Sequence, residues 1–222
     1  MNATLTQRLA AESLGTALLL AAIVGSGLMG ERLADGNTAI ALLANTLATG
    51  AALTVLISIF APISGAHFNP VVTLVFMARR ETNVTDGIAY IAAQTICAVL
   101  GVYAAHLMFA MPVFEISTKL RDGPAQAFSE FVATFGLLAT ILGAVRFRPS
   151  QIAPLVGLYI ASAYWFTGST SFANPAVTLA RSLSDSFAGI APSTVPVFVA
   201  AQVAGGLAGW LALRWLTQPA PG

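Results

Sequence analysis

The sequence predicts an all-α membrane protein: six transmembrane helices plus two re-entrant half-helices, arranged as an inverted 3+3 repeat. Three observations carry this prediction. Only 9% of the 222 residues are charged and 57% are hydrophobic, with a mean hydropathy of +0.80, where a soluble domain is about 25% charged. Long apolar runs recur along the whole chain. One unusual motif is written twice, as His67-Phe68-Asn69-Pro70-Val71-Val72-Thr73-Leu74 and as Phe172-Ala173-Asn174-Pro175-Ala176-Val177-Thr178-Leu179.

The apolar runs fall at 8–29, 38–60, 88–110, 125–146, 151–168 and 195–216. Each approaches the roughly 20 residues that cross about 30 Å of hydrocarbon, and the fifth is the shortest. No cleavable signal pattern precedes the first run, which Arg8 and Glu12 flank or enter. The chain reads as one transmembrane domain over 1–222, with repeats at 8–110 and 125–216.

Each copy of the motif sets Asn-Pro at the start of a short apolar segment. Asn is a favoured helix N-cap, and Pro suits the first helical position. Each copy therefore reads as a half-helix with its positive dipole end at the Asn. The segments continue for about ten residues before charge appears at Arg79 and Arg181. That is roughly 15 Å, half the membrane. Each half-helix then runs from the midplane to one surface. The non-helical backbone leading to it must line water or be buried in protein.

The flanking residues repeat in the same order. Ala11-Glu12-Ser13-Leu14-Gly15-Thr16 precedes the first motif and Gln94 follows it; Ser129-Glu130-Phe131-Val132-Ala133-Thr134 precedes the second and Gln202 follows. The copies are offset by 118 residues at Glu, 105 at Asn and 108 at Gln, so loops differ while the order holds. Three crossings per half is an odd number, which turns the second copy upside down. Inverted repeats with broken helices at the midplane build solute pathways.

Arg8, Arg79, Arg80, Arg146, Arg148 and Arg214 fall on one side, and Arg32, Lys119, Arg121 and Arg181 on the other. Six against four predicts both termini in the cytoplasm. The lone Cys97 excludes an intramolecular disulfide and a Cys-based metal cluster, and it reads as a small buried apolar residue. No metal, cofactor or nucleic-acid partner is expected. No nucleophile–base pair marks an enzyme.

Ser64-Gly65-Ala66-His67-Phe68-Asn69-Pro70-Val71 and Asn174-Pro175-Ala176, with Glu12 and Glu130 in matching places, resemble the major intrinsic protein family, the aquaporins and aquaglyceroporins. The resemblance covers essentially the whole chain. It implies six helices and two re-entrant half-helices in the lipid bilayer, one passive pore per subunit, and usually a homotetramer.

The side-chain oxygens of Asn69 and Asn174 are expected to cap their own half-helices, leaving the amide NH2 groups as donors toward the pore. Pro70, Val71, Pro175 and Ala176 complete the midplane set. Val71 stands where Ala is commonest in the family and adds two methyl groups near the waist. The adjoining dipole ends disfavour cations. The carbonyls of Gly65-Ala66-His67 and Ser169-Thr170-Ser171 are expected to form a ladder of acceptors. His67 matches the family's His two residues before the Asn; it either lines the cytoplasmic vestibule or ties down its loop.

Glu12 and Glu130 are ionisable groups in apolar runs, which by default points to function. An alternative reading is a proton- or ion-coupled secondary transporter that uses them as carriers. The resemblance implies a different role, in which each accepts hydrogen bonds from the re-entrant loop of its own half. Gln94 and Gln202 brace loops or helices. Gly205 and Gly209, with Ala98, Gly101 and Ala105, predict close helix crossings.

Most aquaporins carry Arg immediately after the second Asn-Pro-Ala, and here that place is Val177. Spacing puts the other constriction positions at Thr49, at Ser171 and, on the fifth helix, at Tyr164 or Ser162. The set Thr49, Tyr164, Ser171 and Val177 has small hydroxyls, one apolar wall and no fixed cation. Arg181, two turns after Asn174 and so on roughly the same helical face, either supplies charge near the outer mouth or snorkels at the half-helix end, with Asp185 one turn further on. The resemblance to bacterial members with an Arg-less constriction widens the solute range to polyol-like molecules and to neutral or methylated arsenicals.

Overall fold

The protein is described by a computed structural model over residues 3–218. Among these residues there are eight α-helices and no strand: α1 Leu5–Leu33, α2 Thr38–Ser64, α3 Pro70–Ala78, α4 Val84–Met108, α5 Pro124–Phe147, α6 Ile152–Phe166, α7 Pro175–Arg181 and α8 Val195–Leu216. Short 3-10 turns at Pro149–Gln151 and Pro192–Thr194 lead into α6 and α8.

Local chemistry fixes most of the helix starts. Thr4 caps α1 in a reciprocal capping box with Gln7. Asn37 caps α2, and Asn83 caps α4 through the Asp86 amide. Pro124 opens α5 from the first helical position. At its far end α2 stops at Gly65, whose φ of 89° is the left-handed cap that glycine adopts without steric cost.

Helices α1, α2, α4, α5 and the segment Pro192–Leu216 are long and apolar enough to cross a membrane. With 15 residues, α6 rises only about 22 Å, and the 3-10 turn before it supplies the remaining reach. The half-helices α3 and α7 have 9 and 7 residues and touch each other.

The same pairing recurs in both halves: α1 packs on α2 and α4, and α5 packs on α6 and α8, while α2 against α6 joins the two. Small residues permit the closest crossings. Gly101 lies against the Ala17 carbonyl of α1, and Gly205 and Gly209 lie against the Phe131 and Phe135 carbonyls of α5. Any Cβ there would strike backbone.

Polar ties hold the ends. Arg8 pairs with Asp86 at 2.6 Å, joining the starts of α1 and α4. Arg146 donates to the Thr217 carbonyl, and both share a surface cavity with Arg79 and Arg80. At the opposite end, Arg32 donates to the Phe109 carbonyl at 2.8 Å. The outer face is apolar, with Leu18, Leu47, Ile96, Leu100, Leu158 and Leu211 all exposed.

Candidate functional site: a lumen between two re-entrant loops

The backbone that enters each half-helix follows one recipe twice. Gly65, Ala66 and Phe68 have φ of 89°, 50° and 48°; Thr170, Ser171 and Ala173 have 62°, 51° and 48°. Left-handed backbone costs a non-glycine residue roughly 1–2 kcal/mol. Five such residues in two short loops persist only where the surroundings over-determine them.

Two buried glutamates supply that restraint. Glu12 Oε1 accepts from Ser64 Oγ at 2.6 Å and the His67 amide at 2.9 Å, while Oε2 accepts from the Phe68 amide and Gln94 Nε2, both at 2.8 Å. Glu130 Oε1 accepts from the Phe172 amide at 2.9 Å, and Oε2 accepts from the Ala173 amide at 2.8 Å and Gln202 Nε2 at 2.6 Å. Each glutamine also donates to a threonine of its half-helix, Gln94 to Thr73 and Gln202 to Thr178. Those threonines donate to the Asn69 and Asn174 carbonyls. Every carboxylate oxygen is engaged, so the coupled-transporter reading finds no support in the geometry.

Thr73 and Thr178 had no role assigned from sequence. The available signal was a hydroxyl at the same place in both motif copies, four residues after each Asn in an apolar helix.

Asn69 Oδ1 caps α3 through the Val71 amide, and Asn174 Oδ1 caps α7 through the Ala176 and Val177 amides. The amide groups do something the sequence did not reveal. Asn69 Nδ2 donates to the Ala173 carbonyl at 2.8 Å, and Asn174 Nδ2 donates to the Phe68 carbonyl at 2.7 Å. Each amide thus spends one hydrogen across the dyad and keeps its second, since an NH2 carries two.

A cavity of about 280 Å3 runs between the loops. Asn69, Asn174, Thr49, Tyr164, Ser171, Val177 and His67 all line it, opposite apolar residues such as Leu53, Ile57, Val156 and Ile160. Tyr164 Oη donates to Thr49 Oγ1 at 3.3 Å, joining α6 to α2 beside the lumen. Ser162 is exposed and donates to the Tyr159 carbonyl, so of the two fifth-helix candidates only Tyr164 faces the cavity. His67 does both things considered for it: it lines the lumen, and its Nδ1 lies 3.1 Å from Thr73 Oγ1.

Several expectations need correction. Pro70, Val71, Pro175 and Ala176 do not line the lumen. The Val71 Cγ1 methyl fills the space that Gly206 of α8 leaves open, on the side away from the lumen. The acceptor ladder is also interrupted, because the Ser169 carbonyl is taken by Arg121 Nη1 at 3.1 Å.

The largest correction concerns charge at the α7 end. Arg181 does not snorkel: it is 2% exposed and lines the lumen, so the Val177 face does have a fixed cation nearby. Its Nε donates to the Ala188 carbonyl, and its guanidinium lies over the Phe172 ring, 3.4 Å from the centroid. Asp185 is engaged elsewhere, by the Thr118 amide and hydroxyl.

Arg121, which sequence reasoning passed over, lies 5.0 Å from the same Phe172 ring and donates to the Gly189 and Phe187 carbonyls. Lys119 donates to the Phe187 carbonyl at 2.8 Å. Burial, with Arg121 and Arg181 close by, pulls the Lys119 ammonium down to about 8. Arg121 carries no repeat signal, since nothing in the first half corresponds to it.

Half-helices meeting head to head beside an apolar-walled lumen define a passive membrane channel for water and small solutes, not an enzyme. Residues 1–169 match the family model described as Major intrinsic protein, and the chain belongs to that family. It is 54% identical over 216 residues to "Aquaglyceroporin AqpS" of Rhizobium meliloti (strain 1021), covering 97% of this chain and 92% of that one. It is 30% identical over 226 residues to "Nodulin-26" of Glycine max, covering 96% of this chain and 80% of the other. The fold is shared with the X-ray structure of the aquaglyceroporin from Plasmodium falciparum, at TM-score 0.74 and 22% identity over 96% of this chain and 95% of that one.

Proposed function

We propose that the chain is a single channel domain that assembles as a homotetramer with one pore per subunit. It sits in the cell inner membrane with both termini in the cytoplasm, following the arginine balance. It conducts water and small neutral solutes up to polyol size, including neutral or methylated arsenicals. Asn69 and Asn174 act as the paired midplane donors. Thr49, Tyr164, Ser171 and Val177 form the constriction at the α7 end, the extracellular mouth in this orientation.

The observation that carries this reading is the lumen itself. Short Val177 stands where the family resemblance implies a long cation, and the facing walls are apolar. A solute carrying methyl groups then meets van der Waals surface where a narrower, more polar site would reject it. The similarity to a protein named an aquaglyceroporin supports the same solute class.

The test is a stopped-flow liposome panel of water, glycerol, urea and neutral arsenicals. Glycerol and the arsenicals should permeate well above empty vesicles, with flux linear in gradient and indifferent to a pH gradient. A channel that passes water alone would overturn the solute assignment.

A further inference from the structure

We infer that Arg181 is the solute-reading cation of this channel. Placed one helical turn beyond Val177, it offers donors to solute oxygens at the α7 mouth and turns cations back. This rests on the channel reading above and adds the residue that sets its selectivity.

Three observations converge on that guanidinium. It is buried yet lines the lumen, and its Nη1 has no hydrogen-bond partner among the described residues. An unpaired buried donor carries the full desolvation penalty, so a retained one calls for a partner that visits. Beside it, the buried Ser171 Oγ on the same lumen is also without a partner. One donor and one hydroxyl, both unspent and both without open surface as they stand, make a mixed site for a small oxygen-bearing solute once the side chains turn slightly toward the lumen they line.

Charge is the second observation. Lys119, Arg121 and Arg181 gather around Phe172 and Phe187, and none has a carboxylate within ion-pair distance among the described residues. Carbonyls and ring faces hold these cations instead. Such partners hold a cation without neutralising it; Glu31, Glu115 and Asp185 stand at the same end of the molecule, so the unneutralised charge is local to Arg181 on the lumen. In a low-dielectric passage that field raises a barrier to cations that half-helix dipoles alone would not match.

Register is the third. Positions 177 and 181 are four residues apart on one helix and face the same way. A guanidinium reaching back from 181 covers the surface over the preceding turn, which is where Val177 lies. The cation is therefore displaced along the pore, away from the narrow midplane. It can meet a solute's oxygens while Val177 meets its methyl groups.

The experiment uses the full chain in proteoliposomes, with sodium leak and the water-to-glycerol permeability ratio read on the same vesicles. Arg181→Met should raise sodium leak about tenfold or more over wild type and shift the ratio. Arg181→Lys should keep sodium out while still shifting the ratio, because it retains the charge and loses the fork. In the Arg181→Met background, Val177→Arg should restore sodium exclusion and lower glycerol flux. The Arg181–Ala188 contact also anchors a loop, so if Arg181→Met fails to assemble, the Arg181→Lys shift alone decides. Leak and ratio equal to wild type in assembled variants overturn the inference. A wild-type protein that fails to raise water permeability overturns the channel reading instead.

Discussion

In the first re-entrant loop His67 follows two left-handed residues and precedes a third; in the second loop Phe172 occupies the same station. The backbones turn left-handed at the same three stations, and a buried glutamate, glutamine and threonine brace each one. What hangs on them differs. His67 turns inward, bonded to Thr73 and packed against Phe76 and Tyr90. Phe172 is a platform for two guanidiniums. The duplicated part is scaffold, and the buried cations gather where the second half departs from the repeat.

The sharpest way to break this equivalence is at the asparagines. Asn69→Leu and Asn174→Leu each remove a cap and a bond across the dyad. Both should cut water and solute flux in liposomes by about tenfold or more, the equivalent of losing one hydrogen bond to the passing molecule. Wild-type flux from one folded variant and not the other would show that the two loops are unequal at the midplane.

The glutamates should separate by degree. A Gln at either site turns an NH2 toward N–H donors, at about 1–3 kcal/mol for each donor left unmet. Glu12 serves four donors and Glu130 three. Thermal unfolding in detergent should therefore fall further for Glu12→Gln than for Glu130→Gln. Equal midpoints would mean that the Ser64 bond adds nothing.

A smaller effect tests the Val71 packing, which has no counterpart at Ala176. Gly206→Ala should cost about 1–3 kcal/mol by overpacking, and adding Val71→Ala should recover most of it with flux unchanged. No recovery in the double variant would place the Val71 methyls elsewhere.

The smallest effect concerns pH. With its pKa lowered to about 8, Lys119 binds its proton less tightly folded than unfolded. Stability should therefore rise as pH increases from about 8 toward the usual lysine value. Over the same range the α7 mouth loses one of three cations, and sodium leak should grow by less than about twofold. Lys119→Met should flatten both trends.

Much of this was legible in the chain because it was written twice. Six runs, two Asn-Pro caps and matched glutamates point to the architecture, and the family resemblance carried over by spacing reached Thr49, Ser171 and, with Ser162 as the other candidate, Tyr164. Periodicity left Arg181 open between the mouth and the surface, because it gives the face but not the Phe172 ring and Ala188 carbonyl that hold the side chain inside. Arg121 was invisible because it acts from the segment between α4 and α5 on loops far along the chain. Val71 was misread because its neighbour Gly206 lies on the last helix.

The crossed amide bonds also impose an order on biosynthesis. The Phe68 carbonyl takes its bond from Asn174, 106 residues downstream, and the Asn69 amide gives its bond to Ala173, 104 residues downstream. During translation the N-terminal half emerges while both of these groups still lack their mates. It can insert its helices and brace its loop with Glu12, Gln94 and Thr73, but the crossed bonds wait until the C-terminal half has been made and has docked. Closure of the two loops is thus one late, mutual event, and neither half of the gene encodes a finished pore by itself.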